Sequence, residues 1–493
     1  MRVTQDVQRR LLSSLADLGF GQAESEDDAL FAKRFLPVRE HVRAFEPEVA
    51  LVVGERGAGK SALFQAVFRN RLISALARQS ESARLTRLAE GAVDWVPAYP
   101  KEREFPDPAS LRAFFGGETA PPPLGEELWK AYLVRALVGF LGGAVEGLRP
   151  LIERPAADAA GVHDALRSLG SAPIVALDEL DELLEREGRT VFVGYDELDT
   201  LGGADPRTMA RAIEGLVAFW ASHARRWSRI RPKIFLRTDL FRRHAGLGGS
   251  DLPKLAANRA ELTWNDRNLY AMLLKRIANT NDELCQYVKD GKVCLSEPDP
   301  DLGFVPRLES AEDARPFTER LVGVYMGASS RKGQSFQWLL DHVRDGKGRA
   351  SPRALVRLVE QAAQRERDKP RADPPRLLHP TSLRLALEDV SSDHVRQAAN
   401  NEWPWLWGVE SRLKGEGVPR ERRVFEKRLS DRWEESWGQP GTDARPPAED
   451  ARALLEYLVE LGVLRERPRE RVDTPDLFLF GLGLRRKGGV KRK

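Results

Sequence analysis

The stretch best equipped for chemistry is Gly54-Glu55-Arg56-Gly57-Ala58-Gly59-Lys60-Ser61, which fits the spacing G-x-x-x-x-G-K-[S/T] in full. An apolar run, Val49 to Val53, precedes it and reads as a buried parallel strand. A helical pattern follows, with Leu63, Phe64, Val67 and Phe68 at helical spacing. Such an order suits phosphate. Glycines admit unusual backbone angles and let N–H groups approach an anion, and the helix aims its positive end at it. Gly54, Gly57, Ala58, Gly59, Lys60, Ser61 and Ala62 are the expected nucleotide contacts, with Lys60 on the β- and γ-phosphates and Ser61 on Mg²⁺.

A phosphate loop of this kind needs a second strand that ends in a carboxylate for Mg²⁺ and a further carboxylate to orient the attacking water. The tetrapeptide Asp-Glu-Leu-Asp occurs twice, at 178–181 and 196–199. The second copy ends a β-branched and aromatic run, Thr190 to Tyr195, and a helical pattern and a new strand, "KIFLRTD", follow it. That is one strand–helix–strand unit of a parallel sheet. Asp196 is therefore the expected metal partner and Glu197 the expected catalytic carboxylate. The first copy sits in "IVALDELDELLEREG", where Leu177, Leu180 and Leu184 recur at helical spacing, so its acids read as a solvated helix face. Ile174 to Leu177 also leaves a short strand open there.

Three further residues are candidates. The strand "IFLRTDL" is expected beside the acidic strand, with its polar end, Arg237, Thr238 and Asp239, facing the γ-phosphate. Arg259 stands just before a strand read over Ala260 to Trp264, and Asn265 reads as the cap of the next helix. Arg353 opens a helix whose cap is Ser351 and whose first turn holds Pro352.

These parts need a scaffold of several domains. The chain has 493 residues, 42% hydrophobic and 31% charged, and a net charge of +4, so any nucleic-acid contact must come from a local patch. Two cysteines, Cys285 and Cys294, exclude a disulfide framework and fit a reducing cytoplasm. The N-terminus reads as an amphipathic helix rather than a leader, and the apolar stretch 132–145 is too short to span a membrane and carries Arg135. The expected organisation is an N-terminal helical segment (1–45), a P-loop NTPase core (46–264) with a helical insert at about 100–187, a helical lid (265–370), a Trp-bearing helical region (381–437) and a winged-helix-like domain (447–493). The position of the insert is left open. In the last domain "RVDTPDLFLFGLGLRR" reads as a β wing, and residues 485–493 carry six positive charges, a pattern suited to phosphate backbones.

The fold class is thus α/β, a parallel-sheet P-loop NTPase core of the additional-strand (ASCE) type with a helical lid and a C-terminal helical and winged-helix region. Taken together, "GERGAGKSALF", "YDELDTL", "KIFLRTDLF", "ELTW" and "SPRALVRL", with the terminal "DLFLFGLGLRRKG", resemble the AAA+/STAND division of P-loop ATPases, and bacterial single-chain members of phage-defence type in particular. The resemblance implies ATP with Mg²⁺, a sensor at Thr238, a lid arginine at Arg353 and an arginine finger at Arg259 that serves a neighbour. It implies a conformational switch or remodeller with a protein partner or effector and a homo-oligomer. Duplex DNA, bound through the C-terminal region under ATP control, is the alternative.

Overall fold

The structure is a computed structural model. It describes all residues except 1–2, 20–27, 81, 101–103, 117–122, 203–204, 224, 245–254, 256, 440–443 and 488–493. The chain divides into two compact units, residues 23–263 and residues 1–22 together with 264–493. The segment expected as one piece over 1–45 is therefore split: helix α1 (Gln5–Ala16) belongs with the second unit.

The first unit is built on five strands: β1 (Leu51–Gly54), β2 (Val93–Tyr99), β3 (Thr190–Tyr195), β4 (Ile230–Arg237) and β5 (Ala260–Leu262). All pairings are parallel, in the order β2-β3-β4-β1-β5. Strand β4 thus lies between the phosphate-loop strand and the acidic strand, which is the additional-strand P-loop NTPase arrangement. Chain order reverses at β1, and crevices at such a reversal, beyond the carboxyl ends of the strands, are where α/β sheets bind ligands.

Alternating side chains divide the sheet into two faces. On one, Phe192, Phe235 and Trp95 receive the phosphate-loop helix α2 (Lys60–Phe64) and the π-turn that continues it to Arg69. Gly194 is required there: a Cβ would lie 2.6 Å from the Phe68 ring and 2.7 Å from that of Phe64. Val191, Val193 and Tyr195 point to the other face and join one apolar cluster with Trp129, Tyr132 and Trp220. This locates the insert. Its helices, among them α3 (Pro123–Ala136) and α4 (Ala172–Arg186), form the second layer over the sheet together with α5 (Pro206–His223). Helices α3 and α5 touch through a glycine pair, where a Cβ on Gly125 would lie 2.8 Å from Gly215 Cα. Trp129 Nε1 donates to Ala212 O at 2.7 Å across the same contact. After β4 comes α6 (Thr238–His244).

In the second unit, α7 (Asp266–Ala278) starts at the expected cap, where the Asn265 side chain accepts from Asn268 N. Helix α8 (Pro352–Asp368) starts at Ser351, which accepts from Ala354 N. Helix α1 binds this unit: Gln8 Nε2 donates to Ala372 O at 2.9 Å and Gln364 Nε2 to Ala16 O at 3.1 Å. Buried Glu366 accepts from the backbone N–H groups of Arg371, Ala372 and His379, and so fixes the turn from α8 into α9 (Pro380–Asn401).

The C-terminal region departs from the expected split at 437/447. It runs α10 (Leu406–Leu413), β6 (Gly417–Val418), β7 (Arg420–Glu421), α11 (Arg422–Ser430), α12 (Ala451–Leu461), β8 (Arg465–Arg467) and β9 (Arg471–Asp473). It ends in α13 (Asp476–Leu479) and β10 (Arg485–Arg486). Strands β7, β9 and β8 form one antiparallel sheet and β6 pairs with β10, so residues 417–421 pack with the last segment rather than with the helices before them. The hairpin is β8–β9, so of the stretch "RVDTPDLFLFGLGLRR" read as a wing only Arg471–Asp473 is a hairpin strand; "DLFL" is helix α13, because Pro475 ends the strand pattern. Of the basic tail, residues 488–493 lie outside the described residues. Among the described residues no helix is long and apolar enough to cross a membrane.

Candidate functional site

The loop between β1 and α2 has the geometry its glycines allow. Gly57 and Gly59 adopt φ of 73° and 93°, a region costly for residues with a Cβ. Gly59 caps α2, so the helix begins at Lys60 with its free N–H groups toward the loop. Lys60 Nζ donates to the carbonyls of Gly54 (3.0 Å) and Glu55 (3.1 Å). Burial lowers the pKa of this amine, and the nearby Asp196 carboxylate works in the other direction.

The two Asp-Glu-Leu-Asp copies have different fates. Asp196 leaves β3 at its carboxyl end, and its N–H donates to Tyr99 O at 2.7 Å. Its side chain is buried, with 2% of the residue exposed. The Ser61 side chain hydrogen-bonds the carboxylate, yet Oδ2 has no partner among the described residues. Burial pushes the Asp196 pKa up from 3.8 to about 6, against the hydrogen bond from Ser61 and the charge of Lys60. Glu197, the next residue, has φ 53° and ψ 28°, a left-handed conformation unusual for a residue with a long side chain.

The first copy lies on helix α4, and its acids are not the solvated face that helical spacing suggested. Asp181 is buried and accepts from Ser228 N (2.8 Å), Arg229 N (2.7 Å) and Ile230 N (2.9 Å), capping the turn into β4. Asp178 binds Arg226 through both guanidinium arms and accepts from Trp227 Nε1 at 2.9 Å. Only Glu179 is exposed.

Strand β4 sets Arg237 level with Gly54 of the loop. Its guanidinium is nearly buried and forks onto Asp239 at 3.1 and 2.8 Å, with a third arm on Asp199 at 3.3 Å. Burial acts to raise the Asp239 pKa, but Arg237 outweighs it and holds the group below its ordinary value. Lys60 feels Asp196, Arg237, Asp199 and Asp239 together. Thr238 follows Arg237 and opens α6.

Lys60, Ser61, Asp196 and Glu197 therefore share one end of the sheet with the Arg237–Thr238 corner. Sequence reasoning placed the corner but missed Asp199 and Asp239 as the carboxylates that hold Arg237. The signal was the last acid of the second tetrapeptide, one helical turn beyond Asp196. Arg259 is elsewhere: it precedes β5, whose Ala260 pairs with Val52, two residues short of Gly54. It binds Glu261 at 2.8 Å and covers the Phe241 ring at 5.4 Å. Arg353 belongs to the second unit, in the first turn of α8.

No protein-family model matches the chain, and no curated protein is similar to it in sequence. The solved structure of the Aeropyrum pernix ORC2 protein in ADPNP–ADP complexes aligns with 92% of this chain and 96% of that one, at 14% identity and a TM-score of 0.38. A likeness this loose transfers no residue role.

Proposed function

We propose that the chain binds ATP with Mg²⁺ and hydrolyses it, as a conformational switch of AAA+/STAND type. One observation carries this reading: a buried carboxylate, Asp196, keeps an oxygen that has no partner among the described residues, beside Ser61 and Lys60, at the mouth of a loop shaped for phosphate. A hydroxyl and a carboxylate are the hard oxygen donors that Mg²⁺ prefers. The ion, when bound, offsets the negative charge of the β- and γ-phosphates. Ser61 and Asp196 hold it, the N–H groups of residues 57–62 cradle the phosphates, and Lys60 leaves its two carbonyls to reach them. Glu197 orients the attacking water, from a left-handed backbone position at the end of β3. Thr238 senses the γ-phosphate from the end of β4. The order of motifs supports a switch that acts on a partner effector.

Lys60→Ala tests the reading. Nucleotide affinity should fall about 100-fold or more, measured by calorimetry. Unchanged affinity contradicts it. Arg259 is assigned by a protein-concentration series: specific activity that rises with concentration, and no longer does so in Arg259→Ala, gives it to a neighbour's nucleotide. A flat profile removes it from the site.

A second reading has its own observation. The run α10, β7, α11, α12, β8, β9 with sheet order β7-β9-β8 is the order of a winged helix. On this reading ATP state controls duplex DNA binding through α12 and the basic tail. Affinity for duplex should then fall steeply with salt and weaken on removal of residues 488–493. Indifference to both ends it.

A further inference from the structure

A second concentration of charge lies in the C-terminal region, apart from the phosphate loop. The β8–β9 hairpin pairs Arg465 with Asp473 and Arg467 with Arg471, and Glu466 with Val472 between them. Successive residues of a strand face opposite sides of the sheet. Glu466 binds Arg422 of α11 at 2.7 Å, and Arg422 also binds Glu456 of α12 at 3.0 Å, so that side is the helix side. The arginines face the other way. There they wall a cavity of about 580 Å³, which Arg469 at the hairpin tip and Arg486 of β10 complete.

The cavity is built rather than merely charged. Asp473, with 3% of its side chain exposed, binds Arg465 at 2.6 Å, Arg467 at 3.1 Å and Arg486 at 2.5 Å. Burial acts to raise the pKa of this carboxyl, and the arginines around it outweigh that and hold it below its ordinary value. Arg486 also binds Asp476 at 2.6 Å, and Arg471 Nη2 donates to Pro419 O at 2.8 Å. Arg469 sits at φ 64° and has no ion pair with any described residue. Asp473 and Asp476 offset two of the five guanidinium charges and leave three. Guanidiniums fixed by such forks present their remaining N–H groups to an anion at little entropic cost. A concave site of this size is that of a small ligand. A single backbone phosphodiester carries one charge and would leave the rest unmatched. The helix-bearing side, which the winged-helix reading turns toward duplex, is the opposite side of the sheet.

We propose that this cavity binds a compact phosphate-bearing ligand with two or more negative charges, a di- or triphosphate group. The proposal does not depend on ATP hydrolysis. The test uses the full chain with Lys60→Ala, which silences the phosphate loop, and inorganic tripolyphosphate as the probe, by calorimetry at about 0.15 M salt. Saturable one-to-one binding is expected, weakened at least about tenfold by Arg469→Glu. That residue lies at an exposed turn, so the thermal midpoint should not move. The double variant Arg467→Gln, Arg469→Gln should weaken it further. No saturable binding, or binding that both variants leave unchanged, overturns the proposal. Competition then separates the sources. Displacement by free nucleoside triphosphate points to a soluble ligand, and displacement by an oligonucleotide only when it carries a terminal phosphate points to a nucleic-acid end. Equal displacement by an unphosphorylated duplex reduces the cavity to a backbone contact and overturns it. ATP binding by the chain with Lys60 intact reports on the phosphate loop separately, so the two readings fail independently.

Discussion

The two Asp-Glu-Leu-Asp segments are identical in sequence and differ in everything their surroundings impose. At 196–199 the tetrapeptide follows a strand that ends at the carboxyl edge of a parallel sheet, and its first carboxylate is buried with an oxygen that no described residue partners. At 178–181 it lies within helix α4, and its first and last carboxylates are consumed by the turn at 226–230. A strand end leaves acids where the chain opens to a crevice, whereas a helix packed on the same sheet offers them to the nearest donors. Chemistry here follows position on the sheet rather than the motif.

The comparison can be broken by parallel substitution. Asp196→Ala should lower Mg²⁺-dependent ATP turnover by about 100-fold or more, and Asp178→Ala should leave turnover per folded molecule unchanged, measured by steady-state phosphate release. Equal losses would erase the distinction. The opposite asymmetry is expected in stability. Asp181→Ala strands three backbone N–H groups and should cost about 1–3 kcal/mol in urea denaturation. Asp199→Ala, at a group more than a third exposed, should cost less than about 1 kcal/mol.

Asp196 sharpens the contrast through pH. Its carboxyl titrates near 6 in the fold against 3.8 ordinarily. The native state therefore keeps this proton to higher pH than the unfolded chain. The stability it contributes is complete below pH 3.8 and is lost as pH rises through about 6. Asp196→Asn removes that loss. Without nucleotide it should unfold later than the parent at pH 7.5, by about 1–3 kcal/mol, and the gain should vanish near pH 4. A variant that is less stable at pH 7.5 would contradict the burial argument. The smallest effect belongs to the half-buried Asp178 and its partner Arg226, whose side chain is half exposed, where Arg226→Ala should change stability by less than about 1 kcal/mol.

The phosphate loop was legible because its requirements are local: a strand, glycines, a lysine and a helix within twenty residues. The strand before Asp196 and the helix around Asp178 were legible too, since strand and helix periods differ in the residues just before each copy. The place of β4 beside β3 followed from the strand–helix–strand unit. What could not be read depends on contacts far apart in sequence. Asp181 reads as an ordinary helical acid until the turn at 228–230 is set against it. The insert's place on the sheet rests on Gly125 meeting Gly215 and Trp129 meeting Ala212, which no periodicity encodes. The C-terminal sheet was misjudged because β6 and β7 have two residues each, too short for an alternating pattern, and their partners lie some fifty to seventy positions later.

The most direct test compares the second residue of each tetrapeptide. Glu197→Gln and Glu179→Gln are isosteric changes, and ATP affinity and turnover are measured on both purified chains. Glu197→Gln should bind ATP as the parent does and hydrolyse it about 10²–10⁴-fold more slowly, with Glu179→Gln unchanged in both. Normal hydrolysis by Glu197→Gln would contradict the central claim.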